Sequence, residues 1–384
     1  MMKKILFITG TRADYGKVKS LIRAVENDED LEAFVYVSGM HLSSKHGSTY
    51  HEILKDGYTN VYIDYAQIGA GGMSYELGTT VCHLSGYVLH NNPDMIVIHG
   101  DRIDALAGAI VGALNNIRVA HIEGGELSGT IDESIRHAVS KLSHIHFVSN
   151  DDAKQRLIQL GEEANRIFVI GSPDIDIMLS NSLPSIKAVK ERYSIPFEYY
   201  GIVMYHPVTT HIESLKNNCN ELVSALIESN RDYVVVYPNN DAGSEIILHA
   251  YEQLENKKNI LLFPSLRFEY FLTLLKNADC IIGNSSAGIR EAGVYGVPAI
   301  DLGTRQEHRY ALAGNPNIQH VSEKKDKIIE ALNKVDRHRI VCRNYGRGDS
   351  TSIFIKTIKN RNIWELDIQK HFVDLPLVMK EQSL

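Results

Sequence analysis

Cysteine is scarce in this chain: four in 384 residues, Cys82, Cys219, Cys280 and Cys342, far apart and without a CxxC pair. That spacing suggests neither a zinc site nor a disulfide framework, so no metal is expected and a reducing, cytoplasmic setting is. Long apolar runs are missing too. None approaches the roughly 18 residues of a membrane span, and Met1-Met2-Lys3-Lys4 followed by Ile5 to Ile8 reads as a first strand and not a leader. Positive charge is in deficit, with 40 Lys and Arg against 47 Asp and Glu and a formal charge of -7. There is thus no footprint for nucleic acid or for an anionic membrane, and any anionic ligand must be held by local groups. Neither GxGxxG nor a GK[ST] P-loop is present.

What is present is an ordinary globular composition, 44% hydrophobic and 23% charged. The length suits two domains on a prior of roughly 150 residues each. The most informative stretch is Ile98-His99-Gly100-Asp101-Arg102, followed by His121-Ile122-Glu123-Gly124-Gly125-Glu126 and Ile131-Asp132-Glu133-Ser134-Ile135-Arg136-His137. The first two groups close apolar runs too short for helices and too continuous for half-exposed strands, the pattern of a parallel sheet buried on both faces. Between them Ile103 to Asn115 fits one helix. A strand-helix-strand unit puts Asp101, Glu123, Asp132, Glu133 and the intervening histidines at the carboxyl rim, where open α/β sheets bind ligands. Any one of these residues alone could be a solvated loop carboxylate or a helix cap. Together they form a candidate acid-base cluster.

Strand-helix alternation runs through the whole chain. Ile5 to Thr9 is a strand, Gly10 to Lys17 a turn, and Val18 to Glu26 a helix. The turn is a candidate anion cradle, with Arg12 and Lys17 as its cations. Gly171-Ser172-Pro173 breaks the alternation and closes a first domain at 1–172. A second, 173–363, restarts it with strands at Gly201 to Tyr205, Tyr233 to Tyr237, Ile260 to Phe263, Cys280 to Ile282 and Pro298 to Leu302. Two doubly wound halves imply a cleft between them. The tail, Trp364 to Leu384, is expected to be a helix and a loose end packed back on the first domain.

In the second half, Asn284-Ser285-Ser286-Ala287-Gly288 opens a helix expected over Ile289 to Tyr295, so hydroxyls, amides and helix dipole could face a phosphate. Glu291 could then reach a ribose diol, although a capped helix with an ordinary glutamate reads equally well. His206 ends a strand, and a group titrating near neutrality there would suit proton transfer or diphosphate stabilisation.

Six segments in order, ITGTRADYGK, HGDR, HIEGGELSGTIDESIRH, HPVTT, GNSSAGIREAG and LGTRQ, resemble the hydrolysing UDP-N-acetylglucosamine 2-epimerases of sialic acid biosynthesis, from about Ile5 to about Gly348. The resemblance implies a GT-B fold, two Rossmann-like domains around a nucleotide-sugar cleft. It implies that UDP is gripped by Arg12, Arg102, Ser285, Ser286, Glu291 and Arg305, with Lys17 a further candidate, and that Asp101, Glu123, Asp132, Glu133, Arg136 and His206 surround the reacting sugar. It also implies conversion of UDP-N-acetylglucosamine and water to N-acetylmannosamine and UDP, no cofactor, and a homodimer. The non-hydrolysing branch carries Pro-Glu after its first Thr-Arg, where this chain has Ala13-Asp14. Alternatives are a hydrolysing enzyme for a UDP-2,4-diacetamido-trideoxy sugar on the legionaminic acid route, a non-hydrolysing epimerase, a GT-B glycosyltransferase, or a nucleotide-sugar-binding regulator.

Overall fold

The computed structural model describes all residues except 1, 45–46, 66–71, 129–130, 209–210, 239–241, 308, 311 and 376–384. The glycine-containing stretch 67–71, both threonines of HPVTT and the last part of the tail therefore lie outside the described residues. The chain divides into two compact units, Met1–Asp176 with Gly346–Leu384, and Ile177–Tyr345. Among the described residues no helix is long and apolar enough to cross a membrane.

The first unit is built on a sheet of β1 (Lys3–Thr9), β2 (Leu31–Val37), β3 (Asn60–Ile63), β4 (Met95–His99), β5 (Arg118–Ile122), β6 (Ile145–Val148) and β7 (Ile167–Val169). Their order is β3-β2-β1-β4-β5-β6-β7, and the pairs are parallel. Alternate residues serve opposite faces. Ile5, Phe7, Met95 and Val97 pack with the helix Arg12–Glu26, whereas Leu6, Ile8, Ile96 and Ile98 pack with the helices Gly72–Asn91, Ile103–Leu114 and Ile131–Leu142. This two-sided burial is why the strands read as unbroken apolar runs. Phe354, Ile358 and Ile363 are buried in the same core as Phe7. Residues 346–363, expected in the second domain, thus belong to the first unit. The tail departs from its expected helix as well: among the described residues helical structure ends at Glu365 in the short helix Arg361–Glu365, and the chain runs on irregularly, with Trp364, Leu366 and Asp367 carbonyls accepting from Arg118 and Arg166.

The second unit repeats the plan with β8 (Gly201–Met204), β9 (Tyr233–Val236), β10 (Ile260–Phe263), β11 (Cys280–Gly283), β12 (Ala299–Leu302) and β13 (Ile318–Val321) in the order β10-β9-β8-β11-β12-β13, again parallel. Strand order reverses between β1 and β4 in one unit and between β8 and β11 in the other. These reversals are the switch points at whose carboxyl ends such sheets take ligands.

Candidate active site

The helix after β1 starts at Arg12 and not at Val18, because Thr11 and Asp14 form a reciprocal capping box. Asp14 also takes the Gly10 N–H at 3.0 Å and the Thr11 N–H at 3.1 Å. Two amides of the expected anion cradle, those of Gly10 and Thr11, are therefore spent on a side chain of the same turn. Nor could Gly10 carry a side chain, since a Cβ there would lie 1.9 Å from the Asp104 carboxylate. Of the two cations in this segment, Arg12 pairs with Glu52 at 2.9 Å. Lys17 lies 2.6 Å from Asp174 and 3.6 Å from Glu123, within the carboxylate group and not in a phosphate-facing turn.

Past β4, Asp101 accepts from Ser128 Oγ at 2.6 Å and from Arg136 Nη2. Arg136, buried on the helix Ile131–Leu142, also donates from Nε to Ser128 Oγ at 3.0 Å and from Nη1 to the Glu123 carbonyl at 2.6 Å. Burial opposes ionisation of Asp101, but Arg136, followed by Ser128, Arg102 and His99, outweighs it and holds the carboxyl below its usual range. Arg102 itself is exposed at the start of the helix Ile103–Leu114.

Glu123, past β5, is 4% exposed and has a φ of 62°, a left-handed conformation that non-glycine residues adopt at a cost. Its N–H donates to the Phe147 carbonyl at 2.8 Å, which fixes the backbone that aims the side chain. Oε2 lies 3.1 Å from His99 Nε2, and Oε1 accepts from Ser172 Oγ. Asp132 and Glu133 occupy the first turn of the helix Ile131–Leu142, where Glu133 accepts the Ser128 N–H and lies 3.1 Å from His137. His121, expected at the rim, is instead beneath it. Fully buried, its Nε2 donates to the Gly100 carbonyl at 2.8 Å, and burial with the nearby Arg136 pushes its pKa down to about 3, so it clamps the turn as a neutral ring.

In the second unit Gly283 has a φ of 135°, and a Cβ there would meet the Met204 carbonyl at 1.9 Å. Only glycine lets β11 end this close to β8. The result is a two-way clasp across the switch point: His206 N–H donates to Asn284 Oδ1 at 2.7 Å, and Asn284 Nδ2 donates to the His206 carbonyl at 2.9 Å. Arg305, past β12, donates to the Asn284 carbonyl at 3.0 Å, as Gln306 does at 2.8 Å. Ser285 caps the helical turn Ser286–Ile289, which begins earlier than expected and breaks at Arg290 before Glu291–Tyr295. Ser286 is exposed and Glu291 is buried in the first turn of that second piece. His206, Ser285, Ser286 and Arg305 thus gather at the carboxyl ends of β8, β11 and β12, with Glu291 just behind.

A family model described as UDP-N-acetylglucosamine 2-epimerase matches residues 23–359. The UDP-N-acetylglucosamine 2-epimerase of Neisseria meningitidis serogroup B is 46% identical over 98% of this chain and 100% of its own length. The chain belongs to the UDP-N-acetylglucosamine 2-epimerase family. A more distant member, the hydrolysing UDP-N,N'-diacetylbacillosamine 2-epimerase of Legionella pneumophila, is 32% identical over 94% of this chain and 96% of its own. Among solved structures, a UDP-GlcNAc 2-epimerase from Neisseria meningitidis bound to UDP-GlcNAc shares the fold, with a TM-score of 0.80 at 19% identity over 93% of this chain and 100% of the other. The GT-B-like architecture of two Rossmann-like units is the fold of this family.

Several residues that hold the candidate site together carry no strong signal in the sequence. Ser172 sits in the Gly-Ser-Pro stretch that reads only as a domain end, and Asp174 directly follows it. Ser128 bridges Asp101 and Arg136 from a loop with no periodic signature. His99 and Asn284 stand inside recognisable motifs, His99 as the last residue of β4 and Asn284 directly after β11, and their place at the end of apolar runs is the available signal.

Proposed function

We propose that this family member is a hydrolysing 2-epimerase that converts UDP-N-acetylglucosamine and water to N-acetylmannosamine and UDP. The observation that carries the proposal is that Asp101 and Glu123 leave adjacent strand ends in different surroundings, Asp101 locked to Arg136 and Glu123 held by His99 and Ser172. Removing the sugar C2 proton on one face and returning one on the other needs two such groups, and distinct surroundings divide the tasks. In the first stage a carboxylate takes the C2 proton, the C2 electron pair forms the C1–C2 double bond, and the C1–O bond to UDP breaks. In the second, the glycal gains a proton at C2 on the opposite face while water adds at C1 and gives up its other proton. We assign Asp101, Glu123, Asp132 and Glu133 to these transfers, with Arg136 positioning Asp101.

UDP leaves with added negative charge, and donors aimed at it lower that barrier. Ser285, Ser286 and Arg305 supply such donors, Glu291 a partner for the ribose hydroxyls, and His206 a proton for the departing phosphate. Arg102, exposed beside Asp101, is a further cation for the diphosphate. The relative at 46% identity supports the N-acetylglucosamine substrate, and relatives named as hydrolysing at 32% identity support release of a free sugar. Four free cysteines suit the cytoplasm, where nucleotide sugars would be met.

The test is proton NMR of the protein with UDP-N-acetylglucosamine in deuterated water. Free UDP and N-acetylmannosamine deuterated at C2 are expected. UDP-N-acetylmannosamine at equilibrium would replace the hydrolysing reading with the non-hydrolysing one, and turnover only of the 4-acetamido sugar would move the substrate.

A further inference from the structure

Lys17 stands between two carboxylates at unequal distances, 2.6 Å from Asp174 Oδ2 and 3.6 Å from Glu123 Oε1. Asp174 is 1% exposed, in the helix Asp174–Leu179 that follows Gly171-Ser172-Pro173, and Ser172 of that stretch donates to the same Glu123 oxygen. One short segment thus touches Glu123 directly through a hydroxyl and indirectly through the lysine. Coulomb attraction falls with distance and gains strength where water is excluded, so the nearer aspartate takes the larger share of the ammonium charge. Glu123 is also faced by His99 on its other oxygen and by Arg136, which is committed to the Glu123 carbonyl and to Asp101.

We propose that Asp174 is a positioning residue for proton transfer: by holding Lys17 it keeps the lysine charge from Glu123 and so leaves that carboxylate able to accept a proton. The proposal rests on the reading of Glu123 as a proton-transfer group. Without the Asp174 charge, Lys17 would turn its whole charge on Glu123, and a neighbouring negative group would be lost as well. Both changes favour the ionised carboxylate and make it a weaker base. Lys17 removed alone would do the opposite, leaving Asp174 to repel ionisation of Glu123. Two substitutions at one ion pair should therefore move the same titration in opposite directions, which loss of packing at a common locus would not do.

The experiment is the pH dependence of UDP release from UDP-N-acetylglucosamine for the wild type, Asp174→Asn, Lys17→Met and the double variant. In Asp174→Asn the acidic limb of kcat should move about one pH unit lower, the scale of a single close charge. The plateau should fall about tenfold as the base weakens, and KM should stay within about threefold, flagging transition-state loss over ground-state loss. In Lys17→Met the limb should move higher. The double variant, which keeps the locus neutral should either single variant fold poorly, should return the limb to its wild-type position. An unmoved limb in Asp174→Asn, or shifts of the same sign in both single variants, overturns the inference while an active wild type leaves the functional reading standing. A wild type that releases no UDP overturns that reading and the inference with it.

Discussion

At the carboxyl edge of the first sheet, carboxylates meet cations and hydroxyls: Asp101 with Arg136 and Ser128, Glu123 with His99 and Ser172, Asp174 with Lys17. At the corresponding edge of the second sheet, Asn284 clasps the His206 backbone, Arg305 and Gln306 turn to the Asn284 carbonyl, and Ser285 caps a single helical turn. The sheets have the same strand order up to the seventh strand of the first, and the same switch point. Topology therefore sets where a site forms and the residues after each strand set what it can do. We assign the first edge chiefly to moving the sugar's protons, with Arg102 reaching the diphosphate, and the second chiefly to holding UDP, with His206 protonating it as it leaves.

The comparison breaks most readily at Asp101. Asp101→Asn keeps the shape but removes the charge that Arg136 faces, and turnover of UDP-N-acetylglucosamine should fall about a thousandfold, within the range of lost acid-base groups. Steady-state kinetics with near-normal activity would instead make Asp101 a structural partner of Arg136. Smaller in effect, Arg305→Ala takes a cation from the second edge and should weaken UDP binding about tenfold, as expected for a charge-assisted hydrogen bond. Calorimetry showing unchanged affinity would confine Arg305 to its contact with Asn284.

Least costly to activity is a change beneath the first edge. Asp104 is buried against Gly10 and Ser38, and desolvation, aided by Asp14 and opposed by Ser38, pushes its pKa up to about 6 from 3.8. The folded protein then keeps a proton that the unfolded chain has released, so stability falls as pH rises from 3.8 toward about 6, and the loss is complete above that. Asp104→Asn should remove this loss. The Tm difference between pH 5 and pH 7.5 should shrink by roughly 2–4 °C, the response of a chain this size to about 1 kcal/mol. An unaltered difference would mean that the carboxyl is ionised when folded.

Much of the fold was legible because strands buried on both faces announce themselves as short apolar runs, as Met95 to Ile98 and Ile260 to Phe263 do. The gathering of Asp101 and Glu123 was legible because both directly follow such strands. Glycines at 10 and 16 make the segment before Val18 look like a turn, although Thr11 and Asp14 carry the capping signature three residues apart. Residues 346–363 were misplaced because periodicity shows that Phe354 and Ile358 face a core but not which one. Lys17 and Asp174 are 157 positions apart, and no local pattern joins them. Side chains that position others at long range leave little trace in a single sequence.

The most direct test of the division between the two edges is UDP affinity, measured by titration calorimetry in parallel on Glu123→Gln and Glu291→Ala. We expect Glu123→Gln to bind UDP within about threefold of the wild type, since Glu123 is assigned to the sugar's proton. Glu291→Ala should bind it at least about tenfold more weakly, the loss of a hydrogen-bonded charged partner. The reverse pattern, with Glu123→Gln losing UDP and Glu291→Ala keeping it, would contradict the assignment of protons to the first edge and nucleotide to the second.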